Sequence, residues 1–138
     1  MWEIRDIESR LFACHIRFDR PKRKQVLWWR NGSWRLGDVT LKQAPLYRTD
    51  FIPSFSKDRP VWITEGEKSA DALVSALEWQ VLATVTGASA LPHPKVLEPL
   101  RELDVCLWPD QDKQGYRHMK ELRELLFPIA RSVKERVS

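Results

Sequence analysis

The hydrophobic pattern of this 138-residue chain changes period near its middle. From Leu11 to Phe18, residues Phe12, Cys14, Ile16 and Phe18 fall on one side and Ala13, His15 and Arg17 on the other, the period-two pattern of a half-buried strand. Val26 to Arg30 and Trp34 to Leu36 are further β-prone runs. Asn31-Gly32 between them is a strong hairpin signal, because both residues tolerate the positive φ of a type I′ turn. Residues 1–59 are therefore expected to form a small antiparallel β subdomain, whose end over 40–60, with Pro45, Pro53 and Pro60, is an irregular connector hugging the next unit.

Beyond Pro60 the strand-like runs are apolar without alternation: Val61 to Thr64, Val81 to Val85 and Val105 to Trp108. Such runs suit parallel strands covered on both faces. Helical spacing lies between them. Ala70, Leu73, Val74 and Leu77 share a face over Glu67 to Trp79; Val96, Leu97 and Leu100 point inward over His93 to Leu103; Tyr116, Met119, Leu122 and Leu126 mark a third helix. Ser132 to Val137 has room for a last strand. The order predicts an α/β fold over 60–138, a mostly parallel sheet flanked by helices with right-handed crossovers.

A hydrophobic content of 43% with 30% charged residues places the chain among ordinary globular proteins. No apolar run is long enough to cross a bilayer and no basic-then-apolar leader opens the chain, so a cytoplasmic protein without a membrane partner is expected. Cys14 and Cys106 have no CxxC or Cys/His spacing and read as buried free thiols; His15, His93 and His118 are too dispersed for a metal cluster.

Charge is split. Residues 1–60 hold 13 Lys+Arg against 7 Asp+Glu, whereas the remainder holds 10 against 12. A basic front half suggests a grip on a polyanion, although a solvated basic surface explains the count equally well. The cationic turn of Arg20, Lys22, Arg23 and Lys24 is the better candidate for phosphate contact. Arg30 and Arg35, beside Trp28, Trp29 and Trp34, could act with stacking rings on single strands. A thin sheet also needs tryptophans for its core, and since Trp28 and Trp29 face opposite sides, at most one need be buried.

The chemistry concentrates where two apolar runs end. Val61-Trp-Ile-Thr closes on Glu65-Gly66-Glu67-Lys68, and Val105-Cys-Leu-Trp closes on Pro-Asp110-Gln-Asp112-Lys-Gln-Gly115. Strand carboxyl ends are the ligand edge of an open α/β sheet. Glu65, Asp110 and Asp112 converge there if the strands are neighbours, and clustered carboxylates repel one another unless a hard cation such as Mg²⁺ neutralises them. Gly66 lets the backbone turn sharply and a substrate approach closely. In an extended segment Asp110 and Asp112 point the same way, although Pro109-Asp110 also suits an ordinary turn.

The strand-end Glu-Gly and the strand-end Asp-x-Asp followed by Gly resemble the TOPRIM domain of topoisomerases, primases and some nucleases. Thr64 to Leu73, Thr86-Gly87-Ala-Ser89 and Pro109 to Gly115 carry the resemblance over about residues 60 to 138. The primase branch of phage, plasmid and bacterial replication proteins is the most similar, and the front half is similar to the small sheet that precedes TOPRIM in those proteins. The resemblance implies that Glu65 is the acid/base or metal-positioning carboxylate and that Asp110 and Asp112 hold Mg²⁺, with Mn²⁺ as a substitute. Gly66, Gly87 and Gly115 would allow backbone or phosphate approach, and Lys68 would join the nucleic-acid contacts.

The function this implies is primer synthesis on single-stranded DNA from nucleotides, alongside a replicative helicase or another replication protein. Two positions depart from the bacterial pattern: Ser69 stands where an aspartate is common, and Tyr116 where an arginine is common. Two other readings stay open, a TOPRIM nuclease that uses water in place of the 3′-hydroxyl, and a non-catalytic nucleic-acid-binding module. A topoisomerase is least expected, since nothing marks Tyr47 or Tyr116 as a nucleophile.

Overall fold

The computed structural model describes residues 1–21, 23–85 and 91–136, without the side chains of Arg20, Arg23 and Lys24. Two sheets make up the fold. The first is antiparallel, in the order β1 (Trp2–Arg5), β2 (Leu11–Arg20), β3 (Arg23–Trp29). The second contains β4 (Val61–Glu65), β5 (Gln80–Thr84), β6 (Asp104–Trp108) and β7 (Ser132–Glu135), all parallel, in the order β5-β4-β6-β7. Its crossovers carry α1 (Glu67–Leu77), α2 (Pro94–Leu97) and α3 (Lys113–Leu126).

The parallel sheet is the one the apolar runs predict. Val61, Ile63, Val105 and Leu107 are fully buried and pack with Leu97, Leu100, Met119, Leu122 and Leu126 into the main core. On the other face, Val81 and Ala83 lie with Ala70, Leu73 and Val74 of α1. Helical faces differ from expectation at their ends. Leu77 is 46% exposed beside the left-handed cap residue Glu78, and Tyr116 is 45% exposed because Gly115 and His118 take the inward positions of α3. The segment expected to be one helix over His93 to Leu103 is a single turn, α2, followed by a 3₁₀ turn at Glu98–Leu100. Pro99 cannot supply the N–H that continued helix requires.

The antiparallel sheet is built differently from the hairpin expectation. Asn31 and Gly32 do adopt positive φ, 51° and 77°. They close only one bridge, Arg30 to Ser33, and the Trp34 to Leu36 run forms no strand. The third strand is instead β1, whose Ile4 pairs with Ala13. The side of β2 carrying Ala13 and His15 faces the parallel sheet, while Phe18 lies with Trp29 and Trp34 on the opposite side. Trp28 faces inward, stacked on His15 at 4.2 Å with the ring planes 16° apart.

Residue 60 separates the strands of the two sheets but not their cores. Leu46 and Ile52 of the connector belong to the main core, and Ile4 and Ala44 pack with Val85. Tyr47 adds a one-residue antiparallel bridge to Ala83 of β5. No described helix is long and apolar enough to cross a membrane. Cys14 and Cys106 are free and half-buried.

Candidate active site

The strand order places β4 between β5 and β6, so the chain leaves β4 for one neighbour and later returns to the other. That reversal is the topological switch point, where open α/β sheets bind ligands beyond the strand ends. Glu65 is the last residue of β4, and Thr64 pairs with Trp108, the last residue of β6. Glu65 therefore stands level with Pro109, and Asp110 follows at once.

Gly66 makes the corner after Glu65. Its φ is 78° and ψ 149°, a region that residues with a side chain essentially do not adopt, and nothing lies within 4 Å of where a Cβ would be. The requirement there is conformational. Gly66 N–H donates to Thr84 O at 3.0 Å, fixing the corner to β5. At Gly115 the requirement is steric: a Cβ would stand 2.6 Å from Asp110 O and 3.0 Å from Asp112 Oδ1. Its bare Cα thus lets α3 dock against the Asp110 to Asp112 loop. Asp112 caps that helix, its Oδ1 accepting from Gly115 N–H at 2.5 Å. Asp112 N–H donates to Asp110 O at 2.8 Å, which holds the loop closed.

Glu65 is half-buried, while Asp110 and Asp112 are exposed. Burial and the nearby carboxyl of Asp110, with the more distant charge of Asp112, push the Glu65 carboxyl up from 4.5 to about 7. Its Oε1 is buried without a hydrogen-bond partner. An orphaned carboxylate oxygen beside two further carboxylates is a hard, negatively charged donor set, and it fits a divalent cation such as Mg²⁺. Among the described residues, no three His, Cys, Asp or Glu side chains already stand at ligating distance of one point. The Glu65 and Asp110 carboxyls form the close pair, and Asp112 is partly engaged as the α3 cap.

The remaining sequence candidates divide. Lys68 and Arg35 are exposed. Arg30 is engaged within the chain: it donates to Phe12 O at 3.1 Å, pairs with Asp38 at 2.5 Å and lies over the Phe12 ring. These contacts tie the 31–38 loop to β2. Lys22 and Gly87 lie outside the described residues, as do the side chains of Arg20, Arg23 and Lys24.

Sequence reasoning missed a second acidic constellation on the first two turns of α1. Glu67 is only 4% exposed, and its Oε1 meets His15 Nδ1 at 2.8 Å. Asp71 accepts from Trp2 Nε1 at 2.9 Å and from Tyr47 Oη at 2.8 Å. Burial and the Asp71 carboxylate hold the Tyr47 phenol far above its ordinary range. Tyr47 is thus a structural residue of consequence, and Asp71 is engaged by the front half of the chain. The available signal was a second pair of acids, at 67 and 71, on the helix face that must meet the front sheet.

The fold and its acidic edge define a TOPRIM-like α/β domain joined to a small antiparallel sheet. DNA primase catalytic cores have this fold. The Aquifex aeolicus primase, in its zinc-binding and RNA polymerase domains, superposes with a TM-score of 0.72 at 17% identity, covering 96% of this chain and 32% of that one. A DNA primase domain from Pseudomonas aeruginosa gives 0.65 at 20% identity, covering 93% and 38%, and the E. coli primase catalytic core gives 0.66 at 17%, covering 93% and 39%. The chain therefore spans between about a third and two fifths of the structures it matches. No protein-family model and no curated protein sequence matches it.

Proposed function

We propose that the protein is a Mg²⁺-dependent nucleotidyltransferase of primase type, which extends a ribonucleotide primer on single-stranded DNA during replication and works beside a helicase or other replication protein. The observation that supports it best is the placement of Glu65 and Asp110 at the ends of neighbouring parallel strands, at the switch point of a sheet that superposes on DNA primase cores.

A general base works best when its pKa lies near the operating pH, and burial beside Asp110 raises the metal-free Glu65 carboxyl toward that range. In that role the half-buried Glu65 carboxyl, at the corner that ends β4, would take a proton from an attacking 3′-hydroxyl. Asp110 and Asp112, exposed on the loop ahead of α3, would hold the cation. When bound, a divalent cation supplies charge neutralisation for the attacking and departing oxygens. Gly66 and Gly115 keep the two carboxylate-bearing corners tight against β5 and α3.

Incubation with Mg²⁺, labelled ribonucleotides and single-stranded DNA tests the reading. Labelled primers are the expected product, and Asp110→Asn should abolish them while the chain still folds cooperatively. Shortened DNA strands would mean hydrolysis instead. Undiminished synthesis by Asp110→Asn would refute the site.

A further inference from the structure

We propose that Arg136 anchors a phosphate group of the nucleotide or nucleic-acid strand handled at the carboxylate edge, its guanidinium presented for that purpose on the face of Trp108. This deepens the nucleotidyl-transfer reading and rests on it for the identity of the ligand.

The placement follows from strand register. Leu107 pairs with Glu135 in the parallel β6–β7 ladder, and Arg136 N–H donates to Leu107 O at 2.9 Å. Arg136 is thereby held level with Trp108, two residues before Asp110 and on the same edge of the sheet. Its Cζ lies 3.8 Å from the centre of the Trp108 ring. Trp108 is itself fixed from behind: Trp62 meets it edge-on at 5.7 Å, Trp79 lies at 6.0 Å, and Trp62 and Trp79 stack on each other at 4.6 Å. The platform under the guanidinium is a three-tryptophan block rather than one mobile ring.

Stacking uses the face of a guanidinium and leaves its in-plane N–H donors free. Among the described residues, no carboxylate lies within ion-pair distance of Arg136, although Glu65, Asp110 and Asp112 occupy the same edge. Trp108, Pro109, Gln111, Tyr116 and Arg136 line a small cleft there. It opens beside the Asp110 to Asp112 loop. A cation immobilised at the mouth of a cleft, with its donor edge unmatched by any carboxylate, is complementary to a planar pair of phosphate oxygens, which arginine binds through two parallel hydrogen bonds. Among the residues lining this cleft, Arg136, directly after β7, is the one that carries a positive charge.

Binding of a Mg²⁺–nucleoside triphosphate by calorimetry, and of a fluorescein-labelled single-stranded oligonucleotide by anisotropy, tests the proposal with the full chain and its Arg136→Gln and Arg136→Lys variants. Arg136 is exposed, so both variants should still fold and unfold close to the wild-type temperature. The expected result is a triphosphate affinity about 10- to 100-fold weaker in Arg136→Gln, with Arg136→Lys recovering only part, since lysine keeps the charge but not the stacked fork. If the loss falls on the oligonucleotide and not on the triphosphate, the anchored phosphate is the strand's. Wild-type affinities for both ligands in Arg136→Gln, or no measurable binding of either by the wild-type chain, would overturn the proposal. Absence of primer synthesis from a wild-type chain that shows the Arg136-dependent binding would remove the primase reading and leave the anchor standing.

Discussion

His15 Nδ1 and Glu67 Oε1 lie 2.8 Å apart, joining the middle of the antiparallel sheet to the first turn of α1 across 52 positions of sequence. Glu67 follows the candidate catalytic residue Glu65 by two, so this contact ties the front sheet to the corner that carries the site. Trp28 stacks on the imidazole, and Trp2 and Tyr47 hold Asp71 one turn further along. Glu67→Ala strips a partner from a nearly buried histidine. It is expected to cost about 1–3 kcal/mol, the usual penalty for an orphaned buried polar group. Glu67→Gln, which still offers an oxygen, should cost less. Urea unfolding of the two variants measures the difference, and equal stabilities would mean that the contact contributes nothing.

The Glu65 carboxyl should be visible as a titration. Its folded value, about 7, stands above the ordinary 4.5, so between those values the folded chain holds a proton that the unfolded chain has lost. The contribution to stability is complete below about 4.5 and falls away as pH rises through 7. Metal-free protein should therefore lose stability across that window. Asp110→Asn removes the nearest like charge and should move the Glu65 midpoint down, as should saturating Mg²⁺. Carboxyl carbon shifts of labelled glutamate report this directly, and a midpoint near 4.5 in the metal-free wild type would contradict it.

The parts legible in the sequence are those written in short-range pattern. Glu65 and Asp110 could be placed because each ends an apolar run, and two such runs in parallel must bring their ends together. The Asn31-Gly32 turn was legible as a turn, since its φ values are a local property. Which strands it joins was not, because the third strand is β1, four residues whose pairing with β2 leaves no periodic mark. Tyr116 fits a helical stripe on paper, but the inward position falls to Gly115, since only a bare Cα can pass Asp110 O. The Glu67–His15 and Asp71–Tyr47 contacts were illegible for the same reason that they matter: they form between segments far apart in sequence.

His118 presents a different opportunity. It is 2% exposed on α3, and neither ring nitrogen has a hydrogen-bond partner. Burial holds its pKa below the ordinary 6.5. The unfolded chain thus binds the extra proton first as pH falls, and stability declines below about 6.5. His118→Leu fills similar space without an unmet donor and should raise stability by roughly 1–3 kcal/mol at neutral pH while flattening the acid side of the profile. Thermal unfolding of both chains over a pH series checks both effects; a variant less stable than wild type at every pH would show that the imidazole is satisfied.

Two glycines of the site should respond to alanine for separable reasons. In Gly66→Ala the new methyl meets nothing within 4 Å, but the backbone must keep a φ of 78° with ψ 149°. The expected cost is about 1–3 kcal/mol of strain. In Gly115→Ala the helical backbone tolerates the change, but the methyl would stand 2.6 Å from Asp110 O, so either α3 or the carboxylate loop must move. Overpacking of that kind costs about 1–3 kcal/mol as well. Stability alone cannot tell the two apart, whereas the site can. Gly115→Ala displaces Asp110 and should shift the Glu65 titration and weaken Mg²⁺ binding. Relief of the Gly66→Ala strain requires a turn of the backbone directly after Glu65, so this variant should disturb the Gly66 N–H to Thr84 O bond and speed exchange of that amide. An unaltered Glu65 midpoint in Gly115→Ala would show that the loop absorbs the methyl without moving its carboxylates.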